Sequence, residues 1–208
     1  MNIFIIRHGQ STANAGTAST DIPDKKIDLT EKGEKQAEQC GKLILNYCIE
    51  HDINLQSSIM INSPYKRAQK TANLINQSLK ITQKTSYTPC EYQKGIKIKD
   101  ITIPQNGLLE KIYNKLCENE DSIDESPTEI VLRAKVFINS LKKLNYENVF
   151  IVSHYGFIRA LDIALLNKPI STYFNGPKIK NCSIRQYVLK GNNCTFINNV
   201  DNILTIEK

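Results

Sequence analysis

The chain has 208 residues, of which 40% are hydrophobic and 23% are charged. These fractions lie near the averages for globular proteins, so the composition excludes a disordered chain and a fibrous repeat. The length fits one domain, residues 1–208, with room for a small inserted cap. The net charge is +6, but the lysines form no basic block. We therefore expect a solvated surface and no nucleic-acid partner, and an anionic small molecule suits the charge equally well.

Neither export nor membrane insertion is expected from the sequence. The apolar run in residues 1–7 is too short for a signal peptide and follows no basic segment. No apolar stretch approaches the roughly 18 residues that span a bilayer, so we expect a cytoplasmic location and no membrane partner. The six cysteines include no CxxC pair, which favours reduced structural thiols over disulfides or a zinc site.

The first half of the chain predicts two strand–helix units. Residues 2–6 form an apolar, β-rich run that is typical of a buried parallel strand. Thr30 is placed to cap a helix whose apolar residues recur at spacings of three and four over residues 37–48. A short strand at residues 59–61 precedes residues 63–64 (SP), which we interpret as the cap and first-turn residue of a second helix.

The second half predicts a further strand–helix unit and a closing hairpin. Residues 126–129 (SPTE) form a capping box with proline at the first helical position, which predicts a third helix. Residues 149–153 (VFIVS) predict another buried strand, and a helical pattern follows at residues 158–166. Residues 182–189 and 194–206 predict a hairpin at the edge of the sheet.

This alternation of strands and helices predicts an α/β fold, namely a three-layer α/β/α sandwich with a mainly parallel sheet. In such sheets ligands bind at the carboxyl ends of the strands. Residues 85–125 show no clear periodicity and contain prolines, glycines and an acidic stretch. We interpret them as a small irregular insertion that covers the site as a cap.

Two of the three histidines in the chain, His8 and His154, directly follow predicted buried strands. One such histidine is more often a hydrogen-bonded residue at the rim of a sheet, but the pair favours a shared site. A neutral imidazole can attack phosphorus, and neighbouring cations keep it unprotonated. Arg7 precedes His8 and Arg67 lies at the start of the second helix, and their forked guanidinium groups also suit phosphate oxygens.

The motifs that contain these residues resemble the histidine phosphatase superfamily, in its phosphoglycerate mutase-like group, branch 1. The first motif is residues 5–14 (IIRHGQSTAN). The others follow in the order of the family: residues 29–33 with Gln36 and Ala37, residues 63–72, residues 125–126 with Arg133, and residues 152–156 with residues 159–161. The resemblance spans most of residues 1–189 and implies a phosphoglycerate mutase-like fold.

The resemblance also implies roles for individual residues of the pocket. His8 becomes a phosphohistidine during the reaction, the groups that bind the phosphoryl group are Arg7, Arg67 and His154, and the residues that line the pocket are Ser11 and Asn14. Phosphoryl transfer depends mainly on positioning and on stabilising charge, which these groups supply. No aspartate cluster suited to magnesium accompanies them, so we expect no metal and no other cofactor.

A leaving alkoxide needs a proton, and the family implies a carboxylate after the third strand. We assign this role to Glu91, with Asp100 and Glu110 as alternatives. The acid–glycine pair that commonly follows this motif in the family is missing, because residues 96–99 (IKIK) follow Gly95. A second departure is Tyr155, where the family often has glycine. Its phenol narrows the pocket, bonds the substrate or packs against the next helix, and we favour the first two.

The same resemblance favours hydrolysis over phosphoglycerate mutase activity. The mutases of the family carry a tryptophan-containing stretch and paired arginines, whereas this chain has no tryptophan and reads AGTAST at residues 15–20. We therefore expect a metal-independent phosphatase that hydrolyses a phosphate monoester. Mutase-type transfer is the alternative, and a non-catalytic module that binds phospho-ligands is a third hypothesis. The expected partner is a small phosphorylated metabolite, with a phosphoprotein as the alternative, and the oligomeric state stays open.

Overall fold

The computed structural model describes residues 1–91 and 125–200, which form an α/β structure around one six-stranded sheet. The strands are β1 (Asn2–Arg7), β2 (Ser58–Asn62), β3 (Thr82–Thr85), β4 (Asn148–Ser153), β5 (Ile184–Lys190) and β6 (Asn193–Asn199). Their order in the sheet is β3-β2-β4-β1-β5-β6. Strands β1 to β4 pair in parallel, and β5 pairs antiparallel with both β1 and β6. The mainly parallel sheet and the hairpin at its edge are confirmed.

The helices lie on both faces of this sheet and give the predicted three layers. They are α1 (Glu31–Glu50), α2 (Lys66–Leu79), α3 (Pro127–Leu141) and α4 (Tyr155–Leu166). Alternate residues of β1 point to opposite faces, as in any strand. Phe4 and Ile6 pack with α1 and α2 in one core, and Ile3 and Ile5 pack with α3 and α4 in the other.

Local capping chemistry fixes two of the helix starts at the predicted residues. The Thr30 hydroxyl accepts a hydrogen bond from the Gly33 amide at 3.0 Å, and α1 begins at the next residue. Ser126 and Glu129 form the full capping box, and α3 begins at Pro127. These contacts satisfy amides that have no partner within the helix, so the start can be predicted from a few neighbouring residues.

The predicted starts of the other two helices are wrong by a few residues. Helix α2 begins at Lys66, with Tyr65 rather than Ser63 as its cap. The Ser63 hydroxyl instead lies 2.8 Å from Nε2 of His154, so a long-range contact uses the group that would have capped the helix. Helix α4 begins at Tyr155, three residues before the predicted pattern.

Of the insertion predicted at residues 85–125, the structure describes only residues 85–91 and 125. Thr85 ends β3, an edge strand that the polar sequence TQKT does not predict, and Ser86, Thr88 and Cys90 behind it are buried. Residues 92–124, where the cap was predicted, lie outside the described residues, as do residues 201–206 of the predicted hairpin. Among the helices that the structure describes, none is both long and apolar enough to cross a bilayer.

Candidate active site

The site lies where β1 and β4 end side by side in the sheet. These strands pair in parallel register up to Arg7 and Ser153, so the next residue of each strand, His8 and His154, leaves the sheet at the same point. The two imidazole rings are 5.1 Å apart between centroids. Both side chains are buried, His8 at 2% exposure and His154 at 0%. The structure thus brings together the two histidines that the sequence singled out.

The surroundings of His8 define which ring nitrogen can react. Its Nδ1 lies 2.7 Å from the carbonyl oxygen of Gly9. Because a carbonyl only accepts hydrogen bonds, Nδ1 carries the proton and Nε2 keeps its lone pair. Burial, followed by the charge of Arg67 and that of Arg7, lowers the pKa of His8 from 6.5 to about 3. The imidazole is therefore neutral near pH 7 and can act as a nucleophile through Nε2.

Two glycines allow the His8 turn to pack directly on the start of α1. A Cβ on Gly9 would lie 2.4 Å from the Gly33 carbonyl oxygen, and one on Gly33 would lie 2.0 Å from the carbonyl oxygen of Gln10. The Gly9 amide also donates to the Thr71 hydroxyl on α2 at 3.0 Å. Main chain of the turn and of α1, together with the Thr71 side chain of α2, therefore meets behind His8 and holds Gly9, whose carbonyl group orients the His8 ring.

His154 is held from one side and has a buried nitrogen on the other. Its Nε2 lies 2.8 Å from the Ser63 hydroxyl, and the Tyr65 ring packs edge-on at 5.0 Å between centroids. Its Nδ1 is buried and has no hydrogen-bond partner within residues 1–91 and 125–200. Burial, and then the nearby charges of His8 and Arg67, lower the pKa of His154 well below 6.5. The His154 imidazole is therefore neutral near pH 7.

Arg7 has its guanidinium group held by a neutral acceptor. Its Nη1 donates to the carbonyl oxygen of Ile179 at 2.6 Å, and the group lies over the Tyr155 ring at 5.4 Å from the centroid. Burial lowers the pKa of Arg7, and the negative charge of Glu91 opposes that shift. Its Nε is buried without a partner among the described residues. Arg7 therefore keeps both its positive charge and an unused donor.

Arg67 lies on the first turn of α2 and is also buried, at 5% exposure. Its Nη1 donates to the main-chain oxygen of Asp24 at 2.7 Å, and its Nη2 donates to the Asp24 carboxylate at 3.1 Å. The Asp24 side chain is 57% exposed. Since Arg67 contributes to the lowered pKa values of both His8 and His154, its charge acts on the site.

Ser11 and Asn14 form the turn that follows His8 in the chain. The Asn14 amide donates to the Ser11 hydroxyl at 3.2 Å, and the Ser11 amide donates to the Asn14 carboxamide oxygen at 3.3 Å. Asn181 connects this turn to the nucleophile, because its Nδ2 donates to the main-chain oxygen of His8 at 2.9 Å and to Asn14 at 3.0 Å. Ser11 is buried and Asn14 is exposed.

Glu91 lies at the amino end of α4, close to the histidines in the fold. Its Oε1 accepts a hydrogen bond from the Gly156 amide at 2.8 Å, two residues beyond His154. This contact fixes the Glu91 carboxylate at the edge of the sheet where the histidines lie. The two alternative acids of the sequence analysis, Asp100 and Glu110, lie outside the described residues.

Tyr155 lies between two arginines. The guanidinium carbons of Arg7 and Arg159 are each 5.4 Å from the centroid of its ring, and the Arg159 Nη2 donates to its hydroxyl at 3.2 Å. Arg159 also donates to the carbonyl oxygen of Gly176, and a Cβ on Gly176 would lie 1.4 Å from Nη1 of Arg159. Tyr155 therefore forms part of a cationic wall next to Arg7.

A family model described as histidine phosphatase superfamily, branch 1, matches residues 3–202. The chain belongs to this superfamily. The resemblance seen in the motifs is thus confirmed over nearly the whole sequence. Its members include phosphatases and mutases.

Individual relatives match the chain either at low identity or over only part of its length. A phosphohistidine phosphatase SixA homolog of Haemophilus influenzae is 38% identical over 38% of this chain, and the match spans 43% of that protein, less than half of its length. The uncharacterized phosphatase PhoE of Bacillus subtilis is 28% identical over 76% of this chain and 74% of its own. A putative alpha-ribazole-5'-P phosphatase structure from Escherichia coli has a TM-score of 0.70 at 20% identity, covering 96% of this chain and 95% of that one.

The structure adds residues to this histidine phosphatase site that sequence reasoning missed. Asn181 and the carbonyl group of Ile179 come from the segment between α4 and β5, and Asp24 comes from the loop before α1. Ser63 was interpreted only as a helix cap. No spacing signal marks these residues, because three of them come from irregular segments and two act through main-chain oxygens.

Proposed function

We propose that this chain is a metal-independent phosphatase that hydrolyses a phosphate monoester through a phosphohistidine on His8. The observation that carries the proposal is the state of His8. It is a buried, neutral imidazole with Nδ1 tied to a carbonyl group, and it lies beside two permanently charged arginines. A nucleophile toward phosphorus needs a lone pair close to positive charge, and this arrangement supplies both.

In the first step Nε2 of His8 attacks phosphorus and forms a P–N bond while the P–O bond to the leaving group breaks. Arg7 and Arg67 would neutralise charge on the three equatorial oxygens, where it accumulates in the transition state, and the neutral imidazole of His154 would donate a hydrogen bond to one of them. Glu91 would give its proton to the leaving oxygen, a role typically worth about 10²- to 10⁴-fold in rate. This assignment requires Glu91 to be protonated at that moment and ionised afterwards.

In the second step water attacks the phosphohistidine. The P–N bond breaks, Nε2 recovers its lone pair, and phosphate leaves. The Glu91 carboxylate, ionised by the first step, would accept the proton of the attacking water and so return to its starting state. Each turnover therefore consumes one ester and one water and leaves the protein unchanged.

The substrate class that suits this site is a small phosphorylated metabolite. Ser11 and Asn14 shape the turn beside the nucleophile, and Tyr155 with Arg159 forms a cationic wall beyond Arg7. We expect the phosphoryl group to bind near His8 and Arg7, with the rest of the ester toward Tyr155. Phosphohistidine and alpha-ribazole phosphate, which the names of the compared proteins mention, belong in the panel of test substrates.

The experiment measures phosphate release from p-nitrophenyl phosphate and from a panel of phosphometabolites, with EDTA present throughout. We expect wild type to turn over in EDTA and His8→Ala to be inactive. His51→Ala is the matched control, because His51 is the remaining histidine of the chain and is exposed at the end of α1. It should retain wild-type activity.

Trapping with ³²P-labelled substrate should label wild type and leave His8→Ala unlabelled. If wild type and His8→Ala are equally inactive on every ester, the proposed enzymatic activity is refuted. That result would favour the alternative of a non-catalytic module that binds phospho-ligands. If the protein transfers phosphate between 2- and 3-phosphoglycerate faster than it hydrolyses them, the mutase assignment is correct and the phosphatase assignment is wrong. Loss of wild-type activity in EDTA, restored by a divalent cation, would refute metal independence.

A further inference from the structure

Glu91 lies in a segment without regular secondary structure, so something other than a helix or strand must fix its position. After β3 ends at Thr85, the chain runs through residues 86–91 beneath the ends of β2 and β4. The Ser153 hydroxyl donates to the Pro89 carbonyl oxygen at 2.6 Å. One buried side chain, Arg133 of α3, makes several further contacts to the main chain of this segment.

Arg133 binds the main chain of this segment at three carbonyl oxygens. Its Nη1 donates to Thr88 and to Cys90, each at 2.9 Å, and its Nη2 donates to Glu91 at 3.2 Å. Arg133 is 2% exposed. A guanidinium group suits this task because its donors project in a fixed plane, whereas a lysine ammonium group lacks that planar fork.

The guanidinium group is itself held in place from two directions. Its Nε donates to the Glu125 carboxylate at 2.8 Å and its Nη2 donates to the other carboxylate oxygen, with both side chains 1% exposed. The ring of Phe157 lies 4.8 Å from the guanidinium carbon. A buried ion pair adds little net stability, because desolvation offsets the attraction, so stability alone is a weak reason for this arrangement.

The same contacts link Arg133 to the catalytic edge of the sheet. Phe157 directly follows Gly156, whose amide donates to the Glu91 carboxylate at 2.8 Å. Glu91 is therefore fixed at both ends, at its main-chain oxygen by Arg133 and at its carboxylate by α4. A displacement of the main chain would move the carboxylate away from the Gly156 amide and from the histidines.

We propose that Arg133, held by Glu125, is a positioning residue that places the Glu91 carboxylate for proton transfer to the leaving group. This inference rests on the proposed function, in which Glu91 is the proton donor. It assigns Arg133 a role in the proton transfers of Glu91, without contact with the substrate. Misplacing a reacting group by about 1 Å can cost a factor of about 10² in rate.

The test compares two esters that differ in their need for a proton. Phenyl phosphate has a poor leaving group, whereas 2,4-dinitrophenyl phosphate has a good one that leaves without protonation. For Arg133→Lys we expect kcat/KM on phenyl phosphate, which reports the steps up to cleavage of the P–O bond, to fall by about 10- to 100-fold. We expect kcat/KM on the dinitrophenyl ester to stay within about threefold of wild type, because Glu91 acts on that ester only in the later attack of water. An equal fall on both esters would overturn the proposal.

Arg185→Lys is the matched control for loss of a buried arginine pair. Arg185 lies 3.0 Å from the Asp162 carboxylate and 5.5 Å from the centroid of the Phe196 ring, so it shares the carboxylate and phenyl contacts of Arg133. Arg185→Lys should change kcat/KM on both esters by the same factor. A selective loss on phenyl phosphate in Arg185→Lys as large as that in Arg133→Lys would also overturn the proposal.

A double-mutant cycle with Glu91→Gln shows whether Arg133 acts through Glu91. If it does, Arg133→Lys should cause no further loss on phenyl phosphate once Glu91 is glutamine. If the fold-loss on phenyl phosphate in the double variant instead equals the product of the losses in the two single variants, the proposal is overturned. Should Arg133→Lys fail to give a native circular dichroism spectrum, Glu125→Gln takes its place in the cycle, because it weakens the support of Arg133 while keeping side-chain length.

These outcomes separate the positioning role from the proposed function. If wild type forms ³²P-labelled protein at His8 and hydrolyses both esters, the phosphatase holds whatever Arg133→Lys does. In that case, if Arg133→Lys shows no selective loss on phenyl phosphate, the positioning role is refuted while the proposed phosphatase activity stands. If wild type hydrolyses neither ester and takes up no label, the phosphatase fails, and the role of Arg133 fails with it.

Discussion

Replacing His8 with glutamine removes a buried group that makes the folded chain sensitive to acid. Burial and the charges of Arg67 and Arg7 lower the pKa of His8 from 6.5 to about 3. The unfolded chain takes up a proton on this imidazole below pH 6.5, whereas the folded chain takes it up only near pH 3. Between these values, falling pH therefore favours the unfolded state by about 1.4 kcal/mol per pH unit.

The expected size of the effect follows from this slope. At about pH 4.5, two units below the ordinary pKa, the free energy of unfolding should have fallen by about 2.7 kcal/mol through His8. Glutamine takes up no proton, so the stability of His8→Gln should fall less than that of wild type by about this amount. Above about pH 7.5 the imidazole is neutral in both states and contributes no pH dependence.

Urea unfolding followed by circular dichroism, at several pH values between about 7.5 and 4.5, measures this difference. His51→Gln is the control, because His51 lies outside the site at the exposed end of α1, and its curve should follow wild type. Parallel loss of stability in wild type and His8→Gln would refute the reasoning, since it would mean that His8 takes up its proton without unfolding.

Three further substitutions test separate contacts of the site. Arg67→Lys removes the planar fork, so kcat/KM for p-nitrophenyl phosphate should fall by about 10²-fold, while Lys66→Arg, its exposed neighbour, should change nothing. Gly9→Ala places a Cβ 2.4 Å from a main-chain oxygen, and urea unfolding should show a loss of stability of about 1 to 3 kcal/mol. Ser63→Ala removes the partner of Nε2 of His154, so steady-state kinetics should show kcat falling by about tenfold, and an unchanged kcat would contradict this role.

The features that the sequence predicts well are those that depend on near neighbours. Apolar runs predict β1, β2 and β4, and capping residues place the starts of α1 and α3, because the hydrogen bonds of a cap form within three residues. The convergence of His8 and His154 follows from strand order, since parallel neighbours end at the same edge. These arguments need no knowledge of distant packing.

The features that the sequence does not predict depend on contacts between distant segments. The start of α2 is displaced because the Ser63 hydroxyl lies against His154, 91 residues away in the chain. Strand β3 has exposed polar side chains, so it carries no apolar pattern, and it is held by main-chain pairing with β2. The carbonyl groups that hold the arginines leave no trace in residue type.

Three of the arginines of this region show why residue type alone does not assign a role. Arg7 is held by a neutral carbonyl group, so its hydrogen bond leaves its positive charge available to a phosphoryl group. Arg133 is paired with a carboxylate that is equally buried, so its charge is balanced and its donors serve to hold main chain. Arg67 lies between these cases, because its carboxylate partner is largely exposed and is screened by water. The hydrogen-bond acceptor of each guanidinium group thus separates Arg7, which we propose to bind the phosphoryl group, from Arg133, which we propose to position Glu91.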